Sequence, residues 1–172
     1  LKAQYQALKP DIDKAISEVV EQCNFISGSQ VSDLEEELAD YVGVKHCITC
    51  GNGTDALTMI MMAWNIKDGD AVFVPDFTFF ASGEIVSFEG ATPVFYDVCG
   101  DTFNADIKSL EDAIRSVKQE GKLNPRAIIA VDLFGQPANY PELERVAAEH
   151  DLLLLEDGAQ GFGGKIGDRR AC

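Results

Sequence analysis

A pair of acidic residues follows a short apolar run late in the chain. The run extends from Leu152 to Leu155, and Glu156 and Asp157 come directly after it. A short, continuous apolar run is typical of a strand that is buried on both faces of a parallel sheet. Ligands of open α/β sheets bind beyond the carboxyl ends of such strands. The sequence therefore predicts that Asp157 lies at a ligand-binding edge of a sheet.

A glycine-rich turn occupies residues 50–57, with the sequence Cys-Gly-Asn-Gly-Thr-Asp-Ala-Leu. It joins a predicted short strand, His46 to Thr49, to a predicted helix, Thr54 to Trp64. Backbone N–H groups at the start of a helix bind phosphate groups. An anion site in one loop and a buried carboxylate in another suit a cofactor with a phosphate at one end and a basic ring nitrogen at the other. Pyridoxal 5'-phosphate (PLP) is such a cofactor.

The composition is that of one globular domain with an acidic surface. The 172 residues are 46% hydrophobic and 25% charged, and 14 basic against 29 acidic residues give a formal net charge of -15. No Lys/Arg cluster is long enough to follow a nucleic-acid backbone, so we expect no nucleic-acid partner. No apolar stretch approaches the roughly 18 residues of a membrane span, and no leader pattern opens the chain. We expect a cytoplasmic protein.

The cysteines and histidines do not form a metal-binding pattern. The five cysteines are scattered and odd in number, which favours reduced thiols over a disulfide framework. Cys47 and Cys50 have the C-x-x-C spacing of redox and zinc sites, but no second pair completes a zinc set. His46, before a predicted strand, and His150, at a predicted helix end, are interpreted as structural or surface residues. No metal site is predicted.

Helical and extended patterns alternate along the chain without an internal repeat. Two helical patterns come first, and the first is expected to begin at Pro10. Strands separated by helices then indicate an α/β fold, a three-layer sandwich with a mostly parallel sheet. The predicted elements after the two helices are strand 46–49, helix 54–64, strand 71–74, helix 81–88, strand 93–96, helix 107–117, strand 127–131, helix 140–150 and strand 152–155.

The residues alone leave two other interpretations of the glycine-rich turn open. Gly51, Gly53 and Ala56 satisfy the dinucleotide fingerprint G-x-G-x-x-G/A. Asp76 follows about twenty residues later, where a ribose-binding acid is expected, so an NAD-dependent Rossmann-type oxidoreductase is a rival hypothesis. Two helices before the motif, and Pro75 between strand and acid, weigh against it. A purely structural glycine turn is the other alternative.

Five motifs together resemble those of a known family. Residues 50–57 are followed by Val-Pro-Asp-Phe-Thr-Phe-Phe-Ala-Ser at 74–82 and Gly-Ala-Thr-Pro-Val-Phe at 90–95. Leu-Phe-Gly-Gln-Pro-Ala at 133–138 and Glu-Asp-Gly-Ala-Gln at 156–160 complete the set. The motifs and their order resemble the DegT/DnrJ/EryC1/StrS sugar aminotransferases, which are fold-type I PLP enzymes. The resemblance implies that residues 1–172 are a truncated, cofactor-binding large domain, with residues 1–43 an N-terminal helical segment.

The resemblance assigns the cofactor phosphate to the glycine-rich turn. Thr54, with its neighbours Gly53 and Asp55, matches the family position that binds this phosphate. At the start of a helix, N–H groups without an intrahelical acceptor and the field of the helix favour an anion. The N–H groups of Thr54, Asp55 and Ala56 are therefore expected to point outward as unpaired donors.

Three further positions match family residues that contact the cofactor ring. Phe79 matches the aromatic residue that lies over the pyridine ring. Asp157 matches the catalytic carboxylate that pairs with the pyridinium nitrogen, and Gln160 matches the side chain that reaches the phenolic oxygen. The remaining aromatic residues near Phe79 are expected in the core; they are Phe77, Phe80 and Phe88.

The resemblance also implies a catalytic lysine, which forms the Schiff base and lies downstream of the Asp157 motif in the family. No matching segment occurs up to Cys172. Lys165 is the only lysine after Asp157, and its glycine neighbours indicate a surface turn instead. Since the chain also begins at Leu1 without an initiator Met, we expect a fragment of a longer enzyme that is inactive alone.

The implied reaction of the intact enzyme transfers an amino group from an amino acid, usually glutamate, to a keto sugar carried on a nucleotide diphosphate. The two ends of the chain most resemble family members that act on UDP-linked 3-keto sugars of surface polysaccharide pathways. Family members form dimers with shared active sites, so a homodimer is expected. A non-catalytic ligand-binding or regulatory relative stays open as an alternative.

Overall fold

The computed structural model describes residues 1–172, which form two compact units, residues 1–49 and residues 50–172. The first unit contains helix α1, Lys2–Gln22, and helix α2, Ser29–Val42. Helix α1 begins eight positions before Pro10 and continues through it, so the predicted start at Pro10 is wrong. A proline removes one backbone N–H donor, and here the long helix continues across that missing bond.

The predicted strand from His46 to Thr49 is also wrong, because this segment has no strand partner. The N–H and the hydroxyl of Thr49 instead donate to Oε1 of Glu35 in helix α2, each at 2.8 Å. These two hydrogen bonds, the backbone one first, lower the pKa of Glu35 below its ordinary value of 4.5. The carboxylate thus binds the end of the extended segment to helix α2.

The second unit is a four-stranded sheet in which every pairing is parallel. Its strand order is β2-β1-β3-β4. The prediction of an α/β fold with a parallel sheet is confirmed. The strands are β1 Asp70–Pro75, β2 Thr92–Tyr96, β3 Asn124–Val131 and β4 Leu153–Asp157. The helices are α3 Gly53–Ala63, α4 Ala81–Phe88, α5 Ile107–Glu120 and α6 Tyr140–His150.

Helices cover both faces of the sheet and create two hydrophobic cores. One core joins the sheet to α5 and α6 through Leu110, Ile114 and Leu143, among others. The other joins it to α3 and α4 through Leu57, Met61 and Ile85, among others. Strand β1 and residues 127–130 of β3 are buried between these layers. Burial on both faces is the reason that their sequences are continuously apolar.

Three aromatic residues between the end of β1 and the end of α4 do not enter either core. Phe77, Phe80 and Phe88 have exposed fractions of 48%, 75% and 59%. Their expected burial is therefore wrong. Small and aliphatic side chains of α4, Ala81, Ile85 and Val86, face the sheet in their place.

The strand order contains a topological switch point between β1 and β3. From β1 the chain crosses through α4 to β2 on one side, and then through α5 to β3 on the other side of β1. Connections that leave the carboxyl ends of β1 and β3 in opposite directions open a crevice between them, where ligands of such sheets bind.

Beyond β4 the chain forms a short antiparallel hairpin. Strand β5, Lys165–Ile166, pairs with strand β6, Arg169–Arg170. Lys165 is exposed on this hairpin. Nowhere does the chain contain a helix with the length and apolar character needed to cross a membrane.

The Glu35 contact predicts a pH-dependent contribution to stability. A lowered pKa in the folded state means that the interaction stabilises fully above the unfolded pKa of the group and is lost as pH falls through the folded pKa. Glu35→Gln keeps an acceptor but removes the charge, so the variant should melt below the wild type at neutral pH. The two melting curves should converge as pH falls below 4.5. Thermal melts between neutral pH and pH ~3 measure this difference, and an offset independent of pH would contradict the assignment.

Candidate active site

A cleft of about 330 Å³ lies at the carboxyl edge of the sheet, at the switch point. Four stretches of the second unit meet there: the start of α3, the loop after β1, the end of β3 and the end of β4. Five of the six residues proposed from the sequence line it: Gly53, Thr54, Phe79, Asp157 and Gln160. The sixth, Asp55, does not line the cleft.

The start of helix α3 provides the cleft with free backbone donors. Asn52 caps the helix: its Oδ1 accepts the N–H of Asp55 at 2.9 Å, and its carbonyl accepts the N–H of Ala56 at 3.1 Å. The prediction that these two N–H groups are unpaired is therefore wrong. The N–H groups of Gly53 and Thr54 have no acceptor within the chain. Two donors at the positive end of a helix dipole form an anion site.

Asp55 stabilises the turn from outside the cleft. Its Oδ2 accepts a hydrogen bond from Nδ2 of Asn52 at 2.9 Å. The side chain amide of Asn52 thus contacts both the backbone and the carboxylate of the same residue. This reciprocal pairing fixes the conformation of the turn that presents Gly53 and Thr54.

Asp157 is the last residue of β4, and its carboxylate is buried with an exposed fraction of 7%. Oδ2 accepts a hydrogen bond from Oγ of Ser82 at 2.8 Å, and Oδ1 accepts the N–H of Ala159 at 3.3 Å. A buried carboxylate requires such partners, because removing a charge from water without hydrogen bonds raises the free energy of the folded state. Ser82 was not among the residues predicted from the sequence, although a small polar residue on the buried face of a predicted helix is a signal that it must have a polar partner.

The orientation of the Gln160 side chain is fixed by a backbone donor. Oε1 of Gln160 accepts the N–H of Phe134 at 2.6 Å. A backbone N–H is only a donor, so the amide oxygen must face it and the amide NH₂ is left for other acceptors. Phe134 itself has a φ of 59°, in the left-handed region that is uncommon for residues other than glycine. The turn at Leu133–Gly135 therefore adopts a strained conformation that presents this donor.

Phe79 contributes an exposed aromatic wall. Its side chain lines the cleft and has an exposed fraction of 72%. The neighbouring Thr78 is half-buried and also lines the cleft. A planar ligand that covered the Phe79 ring would gain stacking of about 0.5–1.5 kcal/mol beyond the buried area.

A second acidic group, not found from the sequence, lies behind Asp157. Asp132 is fully buried, and its Oδ1 accepts hydrogen bonds from the N–H of Ala138 at 2.9 Å and the hydroxyl of Tyr140 at 2.7 Å. Burial, and then the contact with Asp132, raise the pKa of Tyr140 well above its ordinary range. Burial is also the main cause that raises the pKa of Glu156, followed among the raising effects by the charge of Asp132.

Two residues considered from the sequence stay outside the cleft. Lys165 lies on the exposed hairpin and does not line the cleft. Asp76 lies in a separate groove beside α4. Because no strand precedes the glycine-rich turn either, the strand-turn-helix context of a dinucleotide fingerprint is missing.

The residues of the cleft fit PLP. Free N–H groups at the α3 terminus suit a phosphate, the buried carboxylate of Asp157 suits a protonated ring nitrogen, and the free amide group of Gln160 suits an anionic oxygen. The cleft volume is in the range of about 300–1,000 Å³ typical of small-ligand sites. Fold and site together define a fold-type I aminotransferase large domain.

The chain belongs to the DegT/DnrJ/EryC1/StrS aminotransferase family, whose model matches residues 6–172. This family is PLP-dependent. The UDP-2-acetamido-2-deoxy-3-oxo-D-glucuronate aminotransferase of Pseudomonas aeruginosa is 40% identical over 172 residues, which are 100% of this chain and 46% of that protein. A protein of Geobacillus stearothermophilus named pleiotropic regulatory protein is 39% identical over 165 residues, 96% of this chain and 42% of that protein. The chain thus spans less than half the length of these relatives.

Solved structures show the same similarity in three dimensions. A family aminotransferase from Brucella abortus matches with a TM-score of 0.97 and 44% identity, over 98% of this chain and 45% of that one. A Bacillus subtilis protein solved with bound cofactor PMP matches with a TM-score of 0.82 and 28% identity, over 90% of this chain and 34% of that one.

The packing behind the cleft predicts a strict requirement for Gly161. A Cβ at this position would overlap the buried carboxylate of Asp132. Gly161→Ala should therefore lower the free energy of unfolding by about 1–3 kcal/mol, the usual effect of overpacking. Gly100→Ala is the matched control, because a Cβ there meets no atom within 4 Å. Denaturant unfolding measures both variants, and equal stability of the two would contradict the packing described for Asp132.

Proposed function

We propose that this chain is the cofactor-binding part of a PLP-dependent aminotransferase that acts on a nucleotide-linked keto sugar. The observation that carries the proposal is the convergence of an anion site and a buried carboxylate in one cleft. Free N–H groups at Gly53 and Thr54 lie at one wall, and Asp157 lies at another. In this proposal residues 1–172 belong to the large domain, with residues 1–43 as its N-terminal helical segment.

The phosphate of the cofactor binds at the start of α3. The N–H groups of Gly53 and Thr54 donate to it, and the Thr54 hydroxyl supplies a third hydrogen bond. Asp55 acts through the turn by holding Asn52, at a distance of 2.9 Å. Each hydrogen bond to a charged acceptor contributes about 1.5–3 kcal/mol.

Asp157 holds the proton on the ring nitrogen. With an effective dielectric near 20, opposite charges about 4 Å apart attract by about 4 kcal/mol, which is equivalent to roughly three pKa units. The ring nitrogen therefore remains protonated at neutral pH. PLP with a protonated ring supplies an electron sink for the substrate carbon at which the proton is lost.

Phe79 and Gln160 complete the binding of the ring. Phe79 covers one face of it and excludes water from that face. Gln160 donates its amide group to the phenolic oxygen, which a neutral donor stabilises without removing the charge. The hydrogen bond from Phe134 at 2.6 Å keeps the amide in the orientation needed for this contact.

The lysine that binds the cofactor covalently belongs, in this proposal, to a part of the enzyme outside residues 1–172. Lys165 is exposed on the hairpin and does not line the cleft. The proposed substrates are a UDP-linked 3-keto sugar, by analogy with the Pseudomonas aeruginosa relative, and an amino acid donor such as glutamate. We further propose a cytoplasmic homodimer as the intact enzyme.

A regulatory protein is the second candidate function, because the Geobacillus stearothermophilus relative carries a regulatory name. Such a protein would bind a ligand in the same cleft without turnover. Single-turnover conversion of bound PLP to PMP by the wild-type enzyme separates the two candidates, since both would bind a ligand but only the aminotransferase would turn over.

The assignment of Asp157 predicts a loss of turnover without a loss of fold. Asp157→Asn in the full-length enzyme should keep much of the cofactor binding but lower the transamination rate by several orders of magnitude, because a neutral amide supplies no charge attraction. Single-turnover conversion of bound PLP to PMP with excess glutamate measures the rate, alongside a thermal melt. Asp76→Asn is the control, since Asp76 lies outside the cleft. Near-wild-type turnover in a folded, PLP-loaded Asn variant would contradict the role of Asp157 in holding the ring proton.

The anion site predicts selective weakening of cofactor binding. Thr54→Val in the full-length enzyme should weaken PLP retention by about 1–3 kcal/mol, the effect of leaving hydrogen bonds to a charged group unmade. Thr58→Val, one turn later in α3, is the control because Thr58 bonds the carbonyl of Thr54 and does not line the cleft. Calorimetry with PLP and with NAD provides the measurement. Saturable NAD binding that Asp76→Ala abolishes would favour the oxidoreductase hypothesis.

A further inference from the structure

A hydrogen-bonded chain of three side chains leads from half-buried Thr78 in the cleft wall, through buried Ser82, to buried Asp157. Ser82, in the first turn of α4, has no exposed surface, and its Oγ lies 2.8 Å from Oδ2 of Asp157. Oγ1 of Thr78, four residues earlier in the loop before α4, lies 3.1 Å from Oγ of Ser82. No other hydrogen bond of the Ser82 side chain is present in the structure.

Asp157 determines which hydroxyl donates and which accepts in the series Thr78, Ser82 and Asp157. An ionised carboxylate only accepts, so the single hydroxyl proton of Ser82 points to Asp157. Thr78 must then donate its own proton to the Ser82 oxygen. A hydroxyl that accepts one hydrogen bond donates a stronger one, so the bond from Thr78 to Ser82 strengthens the bond from Ser82 to Asp157.

Few other groups fix the position of the carboxylate. The second contact of Asp157 is with the N–H of Ala159 through Oδ1, and at 3.3 Å it is longer than the contact with Ser82. Ser82 therefore provides the shorter of two contacts that prevent rotation of the carboxylate. Strand β4 fixes the backbone of Asp157, and the contact with Ser82 fixes the orientation of the Asp157 carboxylate.

We propose that Ser82, supported by Thr78, is a positioning residue that orients the carboxylate of Asp157 toward the ring nitrogen of the cofactor. This inference rests on the proposed function. The same turn of chain carries Phe79, so residues 78–82 position both the aromatic wall and the acid. One short segment then positions both the aromatic residue that covers a face of the ring and the carboxylate that pairs with the ring nitrogen at its edge.

A purely structural role for Ser82 makes a different prediction. If the hydroxyl only satisfies a buried polar pair, its removal lowers stability but leaves the ring nitrogen and the rate unchanged in the molecules that stay folded. If Ser82 positions Asp157, its removal changes the protonation of the ring nitrogen and kcat, while KM for both substrates stays the same.

The test uses the full-length enzyme loaded with PLP labelled with ¹⁵N in the ring. The variants are Ser82→Ala, Ser82→Thr, which retains a hydroxyl, and Thr78→Val. Ser87→Ala is the control, because Ser87 is an exposed serine of the same helix. Ser82→Ala should lower kcat by about 10- to 100-fold, the range for a buried group that loses its partner. The ¹⁵N signal should shift toward the unprotonated form, and Ser82→Thr should restore both values.

Thr78→Val should have a smaller effect in the same direction, and it decides the question if Ser82→Ala does not fold. Wild-type kcat and an unchanged ¹⁵N signal in a folded Ser82→Ala or Thr78→Val variant would overturn the role of Ser82 alone. If the wild-type enzyme binds no PLP, the proposed function and this inference with it are wrong. The same holds if Asp157→Asn leaves the ¹⁵N signal of the bound PLP ring unchanged.

Discussion

A parallel sheet with helices packed on both faces is the constraint on which the site depends. Because all four strands run in the same direction, their carboxyl ends meet at one edge. The strand order β2-β1-β3-β4 then opens that edge between β1 and β3. The loop after β1 supplies Phe79, the end of β4 supplies Asp157, and α3 directs its free N–H groups to the same place. The site is thus a consequence of strand order, and its chemistry follows from four short segments.

Most of the sheet could be predicted because burial on both faces leaves a simple pattern in the sequence. Strands β1, β3 and β4 are short apolar runs, and the helices between them show inward residues such as Leu110 and Ile114. The prediction of strands was wrong where the local sequence does not determine which segment the backbone hydrogen-bonds to. Residues 46–49 have the composition of a strand, but Thr49 bonds to Glu35 and no neighbouring strand is present.

The site residues that could be predicted are those that belong to local motifs. Gly53 and Thr54 begin a helix, and Asp157 ends a strand, so their positions follow from their elements; Phe79 and Gln160 came from the family resemblance. The hydrogen-bond partners of Ser82 and Asp132 could not be predicted, because they lie in other segments of the chain. The expected burial of Phe77 and its neighbours failed for a related reason, since hydrophobic character alone does not tell a core ring from one at the rim of a cleft.

The contact between Ser82 and Asp157 joins residues that are 75 positions apart in the chain. A chain that emerges from the ribosome completes the glycine-rich turn, β1 and α4 long before β4 is synthesised, and closing a loop of this length has an entropic cost that only sheet pairing offsets. A nascent chain therefore contains the glycine-rich turn before it contains Asp157. The lining of the cleft is therefore complete only after β4, followed by Ala159 and Gln160, has joined the sheet.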